Sequence, residues 1–230
     1  MDEKKIFYHS LVFPGFFLFL IWFIWLTELG LDASFVRLGV FPQKWQGLHG
    51  ILFSPLIHAD IKHLFDNSVP LFVLSLAIFY FYREIAYKIF FIIYFFSGML
   101  VWIVGRDAYH IGASGLIYGF AAFLFFSGVI RKNINLLAIS LLVIFLYGSL
   151  IWGILPYDYR ISWESHLMGG FTGVAVAFFY RDKGPERKKY SWEEEEEEQE
   201  QEQEQEPESE EHDEDKPTGK YNYNDTSQYL

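Results

Sequence analysis

Ser114 lies in the run Gly112-Ala113-Ser114-Gly115, with Tyr118 one helical turn later, and His166 heads a second run that contains Gly169 and Gly173. A serine and a histidine can work as nucleophile and base: the imidazole takes the hydroxyl proton and later gives it to a leaving amine. A third run, upstream, places His63 and Asn67 four residues apart and so on one helical face. Both carry hydrogen-bond donors of the kind that stabilise an oxyanion. His58 lies five residues before His63, roughly 140° away on a helix, and fits a brace for the incoming loop better than a member of the same face.

Each run also has a plainer reading. Gly112, Gly115 and Gly119 could form a small-residue packing face, as could Gly169 and Gly173, and a lone His166 could be an interfacial histidine. His58, Asp60, His63, Asp66 and His166 are potential metal ligands, but there is no His-Glu-x-x-His motif and His58 and His63 have the wrong helical phase for one ion. No metal is expected. An aspartyl mechanism fails because no pair of Asp residues falls within the apolar segments.

The surroundings of these runs define the class of molecule. The chain is 52% hydrophobic and 20% aromatic, with 25 Phe, too much apolar surface for a soluble domain of 230 residues to bury. Continuous apolar stretches at 11–29, 61–82, 85–105, 113–130, 134–155 and 163–180 read as six membrane-spanning helices. Barrel strands would alternate instead. Polar groups at membrane depth are costly and mark function, so Ser114 and His166 at the outer ends of spans four and six are the first candidates. There is no cysteine, hence no disulfide and no thiolate chemistry.

Charge supplies orientation. Lys4, Lys5, Arg83, Lys88, Arg131, Lys132, Arg181, Lys183, Arg187, Lys188 and Lys189 all fall on one side of the six-span arrangement, which makes that side cytoplasmic and both termini internal. The N-terminal apolar stretch is longer than a signal-peptide core and lacks a small-residue cleavage site, so a retained span is expected. Residues 1–190 carry a net charge of +4 and residues 191–230 a net charge of −15. The organisation expected is therefore a membrane domain over 1–190 and an acidic, low-complexity, disordered tail over 191–230.

The set His58-x4-His63-x3-Asn67, Gly112-Ala-Ser114-Gly115-x2-Tyr118 and His166-x2-Gly169-x3-Gly173, in spans two, four and six, resembles the rhomboid family of intramembrane serine proteases. The resemblance covers roughly residues 10–182. It implies an all-α, six-helix polytopic bundle in which Ser114 is the nucleophile and His166 the general base, without a carboxylate. It also implies that His63, Asn67 and the Ser114 amide form the oxyanion hole and that Tyr118 stacks on His166. The implied reaction is hydrolysis of peptide bonds in or beside transmembrane segments, without a cofactor. The expected partners are transmembrane protein substrates and the lipid bilayer, with no nucleic acid. Loop 156–162 would be a mobile cap, and span five would border a lateral gate. The six-span layout points to a bacterial plasma membrane, with an organellar membrane as the alternative.

One departure stands out. The family often has a Trp-Arg pair shortly before the first motif histidine, whereas here Trp45 precedes Gln46 and the nearer stretch reads His49-Gly50-Ile51. The first outer loop must be anchored differently. The competing functions are a catalytically silent relative that binds membrane-protein clients, and an unrelated small transporter. A transporter would call for repeats around a midplane site, and no repeat is found.

Overall fold

A computed structural model describes residues 2–146, 153, 155, 156, 159 and 161–185. Among these residues the regular elements are helical: α1 (Glu3–Leu31), α2 (Gly50–Phe53), α3 (Ile61–Phe81), α4 (Ala86–Val104), α5 (Ser114–Ile130), α6 (Ile134–Leu146) and α7 (Trp163–Phe179). Three of them, α1, α3 and α4, are long and apolar enough to cross a membrane, and α5 and α6 are shorter apolar helices. Continuous apolar runs become helices because a helix satisfies its backbone hydrogen bonds internally. Exposed Phe16, Phe19 and Phe23 on α1 and Phe145 on α6 leave wide apolar surfaces facing outward, as in a protein solvated by lipid.

Helix limits differ from the apolar runs where local chemistry intervenes. α1 starts at Glu3 rather than near residue 11, because the intervening Lys-Lys-Ile-Phe-Tyr-His-Ser stretch contains no helix breaker. It stops where Asp32 turns left-handed (φ 47°), with Ala33 N–H bonded to Glu28 O at 3.0 Å and the buried Glu28 carboxylate accepting from Phe35 N–H. α3 is started by Asp60, whose carboxylate accepts the His63 amide at 2.8 Å. The second half of the expected fifth span and part of loop 156–162 lie outside the described residues, as do the expected tail over 191–230 and its disorder.

The core sits between α3, α4 and α5, where Leu64, Ile78, Ile89, Ile93, Phe120 and Phe123 are all buried. α5 packs most intimately against α7. A Cβ built on Gly169 would lie 2.0 Å from Gly115 O, and one on Gly173 would lie 2.1 Å from Gly119 O. Only hydrogen can occupy those positions. At the other end of α5, the Arg131 guanidinium donates to the carbonyls of Arg181 (2.7 Å), Pro185 (2.9 Å) and Gly184 (3.1 Å), tying α5 to the segment that follows α7.

The long first connection is folded rather than loose. Val40 and His110 form an isolated antiparallel bridge. Gln43 N–H donates to Trp102 O at 2.9 Å, the Trp102 indole donates to Lys44 O at 3.0 Å, and Tyr94 hydroxyl donates to Leu52 O. These bonds hold the first connection against α4. Trp45 itself is 81% exposed.

Candidate active site

Ser114 is the first residue of α5, and its backbone is set by what precedes it. Gly112 adopts φ +100°, a conformation open to glycine and strained for other residues. Its amide donates to Ser54 O at 2.8 Å, and the next amide, Ala113 N–H, points at His58 Nε2 at 3.4 Å. The buried His58 thus meets the turn that precedes Ser114, rather than only the loop entering α3. Burial, assisted by the neighbouring His63, pushes the His58 pKa down to about 3, so its ring stays neutral and can accept that bond.

His166 comes from the first turn of α7, which Ser162 caps by accepting the Ser165 amide at 3.4 Å. The close approach of α5 and α7 at Gly115 and Gly169 brings His166 Nε2 to 2.8 Å from Ser114 Oγ. The other ring nitrogen, Nδ1, lies 2.7 Å from Gly153 O. A carbonyl can only accept, so Nδ1 carries the proton and Nε2 presents its lone pair to the serine hydroxyl. Tyr118, one turn along α5, stacks on the His166 ring with centroids 4.1 Å apart and planes 12° from parallel. The imidazole is therefore fixed in position by the Tyr118 face and in tautomer by a main-chain carbonyl.

Facing this pair are two polar side chains of α3, His63 and Asn67. A Cβ on Gly112 would fall 2.7 Å from His63 Nε2 and 3.5 Å from Asn67 Nδ2, so both side chains converge on the turn before Ser114. Asn67 is buried, and its Nδ2 has no hydrogen-bond partner among the described residues. A buried amide donor without an acceptor is uncommon and signals a place where one arrives. The amide of Ser114, at a helix N-terminus, also lacks an intrahelical acceptor. His58 and His63 lie with ring centroids 5.0 Å apart.

One expected role changes. Gly112 takes no part in the helix-packing face with Gly115, Gly169 and Gly173; it precedes α5 and leaves room for the His63 ring. Several neighbours carry no pattern visible in the sequence. Gly153 contributes only a carbonyl. Arg106 and the buried Glu164 pair across 58 positions at 3.2 Å, and His110 Nδ1 meets Ser162 Oγ at 2.5 Å. The stretch 106–110 is recognisable in the sequence as a polar lead into span four, but nothing there names its partners. Among the described residues, no group of three His, Cys, Asp or Glu side chains could hold a metal ion.

Comparison with known proteins places this arrangement in a family. Residues 43–183 match the model of the Rhomboid domain. The chain is 37% identical over 183 residues to uncharacterised proteins of Mycobacterium bovis and Mycobacterium tuberculosis, covering 72% of this chain and 73% of each relative. An uncharacterised protein of Mycobacterium leprae is 34% identical over 179 residues, 74% of this chain and 68% of that protein. The matched region contains every residue of the site described above and, with α3 and α4, two of the helices apolar enough to cross a bilayer, so the protein is integral to a membrane. The chain belongs to the rhomboid family.

Proposed function

We propose that this protein is an intramembrane serine endopeptidase that cleaves other membrane proteins in or next to their transmembrane segments, using a Ser114–His166 dyad. The observation that carries the reading is the 2.8 Å contact between His166 Nε2 and Ser114 Oγ, with the opposite ring nitrogen held by Gly153 O. His166 takes the Ser114 proton as Oγ attacks the scissile carbonyl carbon. The carbonyl oxygen then becomes an oxyanion, met by donors from His63, Asn67 and the Ser114 amide. As the C–N bond breaks, the imidazolium gives its proton to the leaving amine, and water hydrolyses the acyl-enzyme by the same route in reverse. Tyr118 keeps the ring in plane, and His58 holds the turn before the nucleophile.

In a bilayer the chain forms six spans, carried by α1, α3, α4, α5, α6 and α7, with both termini cytoplasmic and the site opening to the outer side. α5 is 17 residues long, about 26 Å, and Arg131 marks its cytoplasmic end. A helix of that length falls short of the roughly 30 Å hydrocarbon core, which sets Ser114 below the outer surface. That depth suits a substrate that is itself a transmembrane helix. A bacterial plasma membrane and an acidic cytoplasmic tail without catalytic work complete the proposal.

The test is proteolysis in reconstituted vesicles of single-span proteins carrying small and helix-breaking residues near the outer interface. Cleavage by wild type but not by Ser114→Ala supports the reading. Cleavage that survives Ser114→Ala contradicts it, and client binding without cleavage by wild type would point to the silent, client-binding relative.

A further inference from the structure

The two residues of the dyad each follow a non-helical lead, 105–113 before Ser114 and the stretch containing Tyr159, Ile161 and Ser162 before α7, and these leads are fastened to one another. Arg106 Nη1 donates to both Glu164 oxygens at 3.2 Å, while Nη2 donates to Tyr159 O at 2.8 Å and Ile161 O at 3.0 Å. Four acceptors converge on one guanidinium, whose planar fork sets their mutual geometry in a way an ammonium cannot. Glu164 is only 3% exposed and lies two residues before His166. A second tie runs parallel: buried His110 contacts Ser162 Oγ through Nδ1, with Nε2 on Arg106 O at 3.2 Å, and Ser162 Oγ in turn meets Ser165 Oγ at 2.6 Å. The 2.8 Å separation of Ser114 Oγ and His166 Nε2 therefore depends on more than the α5–α7 glycine contact, because the outer ends of both helices are cross-linked above it.

We propose that Arg106 is a positioning residue for the dyad: through Glu164 and the Tyr159 and Ile161 carbonyls it fixes the first turn of α7, and hence His166, against the turn that presents Ser114. The proposal rests on the serine-protease reading above. The Arg106 side chain bonds to Glu164, Tyr159 and Ile161 and not to Ser114 or His166, so its removal should slow the chemistry without weakening substrate binding. A displacement of about 1 Å in a reacting pair costs about a hundredfold in rate.

The experiment compares full-length wild type, Arg106→Ala and Arg106→Ala/Glu164→Gln in detergent. Its readouts are the rate and endpoint of fluorophosphonate labelling, kcat and KM for a transmembrane substrate, and the thermal midpoint. The double variant removes the unpaired buried carboxylate that Arg106→Ala alone would leave, a strongly destabilising change, so it carries the test if the single variant fails to fold. The expected result is a full labelling endpoint reached about a hundredfold more slowly, with kcat falling in parallel and KM unchanged. Arg106→Lys should recover only part of the rate, since one ammonium cannot span four acceptors. A folded variant that labels at the wild-type rate, or a loss that lies in KM, overturns the positioning role. So does a reduced endpoint at wild-type rate, which would report misfolded protein alone. If wild type itself neither labels nor cleaves, the protease reading fails first and the positioning role falls with it.

Discussion

A serine hydroxyl is a weak nucleophile until a neighbouring base takes its proton, and the base is useful only in the right tautomer. In the proposed dyad, His166 would meet both conditions through two contacts of different legibility. Ser114, Tyr118, His63, Asn67 and His166 are recognisable in the sequence because polar side chains are conspicuous in apolar runs and because a spacing of four places them on one face. Gly153 is not, since the group it supplies is a carbonyl that every residue possesses. Arg106 and Glu164 escape for another reason: they are 58 positions apart, and neither lies in a periodic pattern. The proposed oxyanion role of Asn67 predicts that Asn67→Ala lowers kcat by about a hundredfold and leaves KM nearly unchanged. A loss confined to KM would instead make Asn67 a substrate-binding group. His58 gives a prediction in pH. Its folded pKa of about 3 lies below the ordinary 6.5, so between those values the unfolded chain binds a proton that the folded chain refuses. Stability from this group is full above pH 6.5 and declines as the pH falls towards 3. Burial lowers the His110 pKa as well, with the same sign. The thermal midpoint should therefore drop between pH 7 and pH 4, and less steeply in His58→Gln, whose side-chain oxygen can still accept from Ala113. An unchanged slope would remove His58 from the account.

At the scale of elements, the site exists because α5 and α7 touch backbone to backbone. The spacing of Gly169 and Gly173 announces a packing face, and the structure supplies its partner, Gly115 and Gly119 on α5. Which helix would be met could not be read from the sequence, since every neighbouring run is equally apolar. Gly173→Val tests the contact. Its Cβ would meet a main-chain oxygen at 2.1 Å, which no rotamer change relieves, so the loss should exceed the roughly 1–3 kcal/mol typical of overpacking. The expected outcome is a large fall in thermal midpoint together with loss of labelling, whereas Gly170→Ala, at a position with open space around it, should leave both near wild type. Helix limits were less legible than helix existence. α1 extends back to Glu3 because hydropathy marks where a span becomes apolar and not where its helix begins.

For the whole molecule, composition indicates a membrane protein and continuous apolar runs indicate helices, and the family match and the helical elements among the described residues agree with both. The anchoring of the first connection was not legible, because main-chain bonds such as Gln43 N–H to Trp102 O leave no trace in residue type. The acidic segment 191–230 lies beyond the matched residues 43–183, so its deletion should leave cleavage by purified protein intact. Loss of activity on deletion would assign the tail a catalytic or folding role. The central claim, an activated serine at 114, is tested most directly by fluorophosphonate labelling of the detergent-purified full chain, which requires no knowledge of the natural substrate. The account predicts that wild type is labelled and that Ser114→Ala and His166→Ala are not. An unlabelled wild type beside a known active rhomboid that does label, or label that persists in Ser114→Ala, would contradict it.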